Sequence, residues 1–159
     1  MMAAGISLKS KKLDAAKRPG LEKAVSELRN FKDRFDFLTG EDAKAFDVFM
    51  EAMSLPKDDP ARPGKMQEAL VHAAEVPLQT AATAVAAFET VRDAAPLSGA
   101  GVASDMNCAL HLLMAAAHCA AENVWINVSG IKDPAKSAEL SGRIKSTLAR
   151  LAPKAAGVA

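Results

Sequence analysis

Three groups of residues in this chain of 159 carry side chains able to do chemistry. Asp42 stands three residues after Thr39, where a capping-box carboxylate would lie if Thr39 opens a helix. At helical spacing 42, 46, 49 and 53 share a face, so this carboxylate points along Phe46, Phe49 and Met53. Burial against such a stripe raises a carboxylate's pKa, and a helix N-terminus lowers it. Between those effects Asp42 suits a general base or a stabiliser of a cation; plain helix capping is the other role open to it. Cys108, His111, His118 and Cys119 form the second group and raise the question of a metal. On one helix residues 108 and 118 lie ~15 Å apart along the axis, so one ion could take two of the four at most. A packed, hydrogen-bonded core is therefore the expected setting, with no metal. The third group is Asp105, Asn123 and Asn127. Asp105 and Asn123 share an azimuth at a separation of ~27 Å, too far to meet at one small reacting centre. They serve different ends of a long ligand or different subunits, or else Asp105 only caps. Asn123 and Asn127 are costly if buried unpaired, which calls for a backbone or ligand partner.

The elements that must position these groups read as helices throughout. A first segment runs from Met1 to about Lys17 and stops at Arg18-Pro19-Gly20. Leu21, Val25, Leu28, Phe31 and Phe35 form one apolar stripe, and Leu38-Thr39-Gly40 predicts a break before the helix that carries Asp42. Leu55 to Pro63 reads as a loop, with a further helix from near Gly64. Pro77 interrupts that pattern, as a kink or as the junction of two helices. After the loop at 95–101 comes an apolar helix from near Ser104 to about Val128, expected to be the buried central one. Asp133-Pro134 starts the last helix, with Asp as N-cap and Pro at N1. Its stripe is Leu140, Ile144, Leu148 and Leu151, and residues 155–159 are expected to fray.

Composition supports this reading. Half the residues are apolar, yet Tyr is absent and only six Phe and one Trp are present. The apolar content is mostly Ala, Leu, Val and Met, which suits helices and not strands. The expectation is a single all-α domain over residues 1–159, an orthogonal or up-down bundle of about five to seven helices. Twenty basic residues against 19 acidic ones leave a formal net charge of +1, which argues against nucleic-acid binding. The small cluster Lys9, Lys11, Lys12, Lys17 and Arg18 reads as a solvated helix face. Two unpaired cysteines and no secretory h-region point to the cytoplasm. The run from Cys108 to Ala121 is too short and too polar to span a bilayer.

Several stretches, taken in order, resemble the formiminotetrahydrofolate cyclodeaminase and methenyltetrahydrofolate cyclohydrolase family. They are Asp42-Ala43-Lys44-Ala45-Phe46-Asp47, the run from Met50 to Leu55-Pro56-Lys57, Met66-Gln67-Glu68-Ala69-Leu70, and Val76-Pro77-Leu78. Ser104-Asp105, Asn123-Val124-Trp125-Ile126-Asn127 and Ile131-Lys132-Asp133 complete the set. The resemblance runs from roughly Lys11 to Leu140 and rests on the ordered set. It implies an all-helical fold that dimerises and binds a reduced folate, with no cofactor beyond that substrate. It further implies closure of a 5-formimino folate to 5,10-methenyltetrahydrofolate with loss of ammonia, or hydrolysis of the methenyl form. The family's catalytic aspartate falls on Asp42, and the substrate-binding candidates are Lys11, Lys12, Lys57, Ser104, Asp105, Asn123 and Asn127. Two departures stand out. The family's opening Pro-Gly-Gly-Gly-Ser loop has no counterpart, so Ser10-Lys11-Lys12 falls on the basic end of its first helix. Ser98-Gly99 stands where the family usually has Gly-Asn. A relative that binds folate or scaffolds without turnover is the alternative reading.

Overall fold

The computed structural model describes residues 1–151; the tail expected to fray lies outside the described residues. Five α-helices follow in order: α1 (Met2–Lys9), α2 (Arg18–Ser54), α3 (Arg62–Ala94), α4 (Ala103–Val128) and α5 (Pro134–Ala149). Short 3-10 turns occupy Ala15–Lys17, Ala95–Leu97 and Ala100–Val102, and no strand occurs among the described residues. The all-α expectation holds.

The predicted break at Leu38-Thr39-Gly40 is overturned: α2 runs unbroken for 37 residues. Thr39 is no N-cap, because its hydroxyl donates to the Phe35 carbonyl one turn back, 2.9 Å away. Leu38 and Ala45 meanwhile pack against Val76 of α3. That tertiary contact outweighs the ~1 kcal/mol a mid-helix glycine costs. The carboxylate of Asp42 therefore sits mid-helix, far from both ends of α2. The stripe expected beside it also faces outward, with Phe46 62% exposed and Met53 exposed. What α2 buries instead is the heptad-spaced set Leu38, Ala45 and Ala52.

Pro77 lies inside a continuous α3 of 33 residues, so the kink-or-junction alternative resolves to one helix. This helix, and not α4, is the central one, packing along α2 on one side and α4 on the other. Alanines at 74, 81, 84 and 87 are fully or almost fully buried and allow the backbones to approach closely. One core cluster joins Ala74, Leu78 and Ala81 to Val124 and Val128 of α4 and to Leu140 and Ile144 of α5. A second joins α1 to the start of α2 and the end of α3 through Ala4, Leu21 and Val91. Asp133 caps α5 as expected, accepting from the backbone N–H groups of Ala135 and Lys136. No helix among the described residues is long and apolar enough to cross a membrane.

The buried setting expected for Cys108, His111, His118 and Cys119 is also overturned. All four are exposed on the outer face of α4, where Leu112 and Ile126 stand 71% and 70% exposed. An apolar helix can be covered on one side only, and periodicity cannot say which sides find partners. Among the described residues no three His, Cys, Asp or Glu side chains gather as a metal-ion site would need.

Candidate active site

Asp42 projects from the middle of α2 beside a cleft of about 210 Å³ where α2, α3 and α4 meet. Phe35, Leu38 and Thr39 line it from α2, Pro77 and Thr80 from α3, and Ala120 and Asn123 from α4. Asp42 and Asn123 are exposed at its mouth, and Pro77 is buried in its wall. The cleft's volume is below the roughly 300 Å³ of a typical whole-ligand site.

Proline shapes this wall. Pro77 has no N–H, so the Ala73 carbonyl one turn earlier loses its helical donor. Asn127 supplies the replacement: its Nδ2 donates to the Ala73 carbonyl at 2.9 Å and to the Asn123 carbonyl at 2.8 Å. A single side chain thus satisfies the orphaned carbonyl of α3 and ties it to the turn of α4 that presents Asn123. Gln67 performs a parallel task one level up. It donates to the Gly130 carbonyl at 3.1 Å and accepts from the Lys132 N–H at 2.7 Å, which fixes the α4–α5 turn to α3.

Charge nearby is arranged by ion pairs. The Lys44 ammonium, 2.8 Å from Glu41, holds that carboxyl below its ordinary range, with His72 and Arg34 adding to the effect. Arg34 stacks over the Phe37 ring at 5.0 Å and hydrogen-bonds Gln79.

Of the residues singled out in the sequence, this geometry brings Asp42 and Asn123 to one cleft, with Asn127 bracing it from behind. The others lie elsewhere on the chain. Ser104 and Asp105 open α4 at its exposed far end, ~27 Å from Asn123. Lys57 follows the end of α2, whose last turn is ~18 Å from Asp42 along the axis. Lys11 and Lys12 precede α2, so ~36 Å of helix separates them from Asp42. Lys12 borders a different hollow, with Ser7, Lys17 and Gly99. Thr39 and Thr80 were not foreseen as cleft residues, because the expected helix break hid the face that Thr39 shares with Asp42.

A family model described as formiminotransferase-cyclodeaminase matches residues 1–146. The chain belongs to this family. Formimidoyltransferase-cyclodeaminase of Sus scrofa is 33% identical over 123 residues, which cover 75% of this chain and 23% of the relative. Methenyltetrahydrofolate cyclohydrolase of Methylorubrum extorquens is 34% identical over 119 residues, 70% of this chain and 57% of the relative. The chain therefore spans about a quarter of the first relative and little more than half of the second. A crystal structure of formiminotetrahydrofolate cyclodeaminase from Thermotoga maritima superposes with a TM-score of 0.75 at 24% identity, covering 94% of this chain and 76% of that one. That likeness concerns the fold. Membership of a folate one-carbon family agrees with the resemblance read from the ordered motifs, and the cyclodeaminase-like fold with the all-helical bundle.

Proposed function

We propose that this chain acts on a reduced folate at the Asp42 cleft. The reaction is closure of 5-formiminotetrahydrofolate to the methenyl form with loss of ammonia, or hydrolysis of 5,10-methenyltetrahydrofolate. The observation that carries the reading is the placement of Asp42 and Asn123 together at one cleft of about 210 Å³ where three helices meet. The methenyl bridge is a delocalised cation, and a carboxylate beside it stabilises that charge electrostatically. In hydrolysis Asp42 takes the proton of the water that attacks the bridge carbon; in cyclisation it moves a proton towards the departing amine. The side-chain amide of Asn123 carries no hydrogen bond among the described residues, so both its donor and its acceptor are open to the ligand. Each step is within reach of these side chains, with no metal or further cofactor in the scheme.

The reading extends to quaternary structure: a homodimer, cytoplasmic, formed through the exposed face of α4. Lys11, Lys12, Lys57, Ser104 and Asp105 are then candidates for the distal parts of a long ligand or for a neighbouring subunit's site. Decay of the methenyl absorbance and release of ammonia from the formimino folate, each measured with and without protein, test the function. Turnover in excess of buffer is expected, and Asp42→Asn is expected to remove it by at least about a hundredfold. Excess turnover unaffected by that substitution overturns the role of Asp42. Folate binding without turnover favours a non-catalytic relative.

A further inference from the structure

Two hydroxyls flank Asp42 in the cleft, Thr39 from α2 and Thr80 from α3. Each donates its proton to a carbonyl of its own helix, Thr39 to Phe35 at 2.9 Å and Thr80 to Val76 at 3.1 Å. A carbonyl can only accept, so neither hydroxyl has a proton left to offer a ligand. What the two present to the cleft is lone pairs. Thr39 stands one turn from Asp42 on the same face, so carboxylate and hydroxyl accept side by side. With Asn123 the only donor among these polar groups, the cleft is built to receive N–H groups.

We propose that Thr39 and Thr80 are specificity-determining residues that select a ligand bearing N–H donors at its reacting carbon. Resting on the folate reading above, this favours the formimino over the methenyl substrate. The methenyl carbon lies between two ring nitrogens that carry no hydrogen. The protonated formimino group ends in an NH₂ that offers two donors. Attack of the N10 lone pair on the formimino carbon forms the C–N10 bond. The N10 proton passes by way of Asp42 to the NH₂, the carbon–amine bond breaks, and neutral ammonia leaves while the positive charge remains on the bridge. Ammonia has three N–H bonds, and the two hydroxyls with the carboxylate can receive them as it departs. Thr39 and Thr80 touch the substrate as acceptors and take no proton in this scheme.

The test compares kcat/KM for 5-formiminotetrahydrofolate and 5,10-methenyltetrahydrofolate in the full chain and in a Thr39→Val/Thr80→Val double variant. Valine keeps the branching and volume, and a circular dichroism melt verifies the fold. The native chain is expected to favour the formimino substrate. The double variant should lose about tenfold or more of that preference, through KM, as expected for a lost acceptor of a charged donor. A preference for the methenyl substrate, or a ratio unchanged in the double variant, overturns the inference and leaves the folate reading standing. If neither folate is turned over, the catalytic reading fails, and NMR titration with formamidinium and tetramethylammonium chlorides decides this point alone. Formamidinium should shift the Thr39 and Thr80 methyl signals while tetramethylammonium, which has no N–H, does not; equal responses, or none to formamidinium, overturn it.

Discussion

Asn127, a binding candidate in the sequence, has a role in the fold that needs no ligand. Its amide nitrogen is committed to two carbonyls, one of them orphaned by Pro77. Asn127→Ala is therefore expected to destabilise the chain by about 1–2 kcal/mol, since it leaves a part-buried carbonyl without a donor. Pro77→Ala restores the missing N–H. In that background the cost of Asn127→Ala should fall by roughly half or more, a coupling on the order of 1 kcal/mol. Denaturant unfolding of the four proteins in the cycle measures it. Additive costs would mean that Asn127 stabilises the chain by some route other than the proline. The sequence contains both residues, yet fifty positions separate them, and only their meeting across α3 and α4 reveals the pairing.

At the scale of elements, helix identity was legible and continuity was not. The apolar stripes foretold α5 closely, because Asp133 and Pro134 mark its start chemically and Leu140 and Ile144 mark its buried face. Thr39-Gly40 gives a stop signal just as plainly, and packing of Leu38 and Ala45 on α3 overrides it. Gly40 has helical surroundings and open space where a Cβ would stand. Gly40→Ala should consequently stabilise the chain by about 0.5–1 kcal/mol, read as a raised thermal midpoint. A fall would show that the backbone at residue 40 is not helical. The last helix carries a second test. The Lys136 hydrogen bond, with Arg143 assisting, holds the Glu139 carboxyl below its ordinary value of 4.5. A carboxyl lowered on folding adds stability that is fully present above 4.5 and is lost as pH falls through the lower folded value. Thermal melts from neutrality down through roughly pH 3 should fall less steeply for Glu139→Gln than for the native chain. Identical slopes would mean that this ion pair is fully screened.

Among the described residues α4 is covered along one side only, and its uncovered side carries a regular pattern. Cys108, Leu112, Ala115, Cys119, Glu122 and Ile126 are all exposed and follow one another at intervals of four and three, the spacing of a coiled-coil seam. Small residues at its centre permit close backbone approach. Laid antiparallel on a second copy about an axis near residue 117, the seam sets Cys108 opposite Ile126, and Ala115 opposite Cys119. It sets Leu112 opposite Glu122, the one charged position in an otherwise apolar or small-residue seam. Hydropathy alone had made α4 the buried centre of one bundle; the same apolar excess is equally served by burial between two copies. The seam runs beside Asn123, so a dimer of this kind would also wall the outer side of the Asp42 cleft. Sedimentation velocity should give a dimer, and Ala115→Arg, which places bulk and charge at the closest approach, should give a folded monomer with weakened folate turnover. A native chain that sediments as a stable monomer removes this arrangement, while a dimer untouched by Ala115→Arg places the interface on another face, for which the exposed Phe46, Met50 and Met53 of α2 are the next candidates.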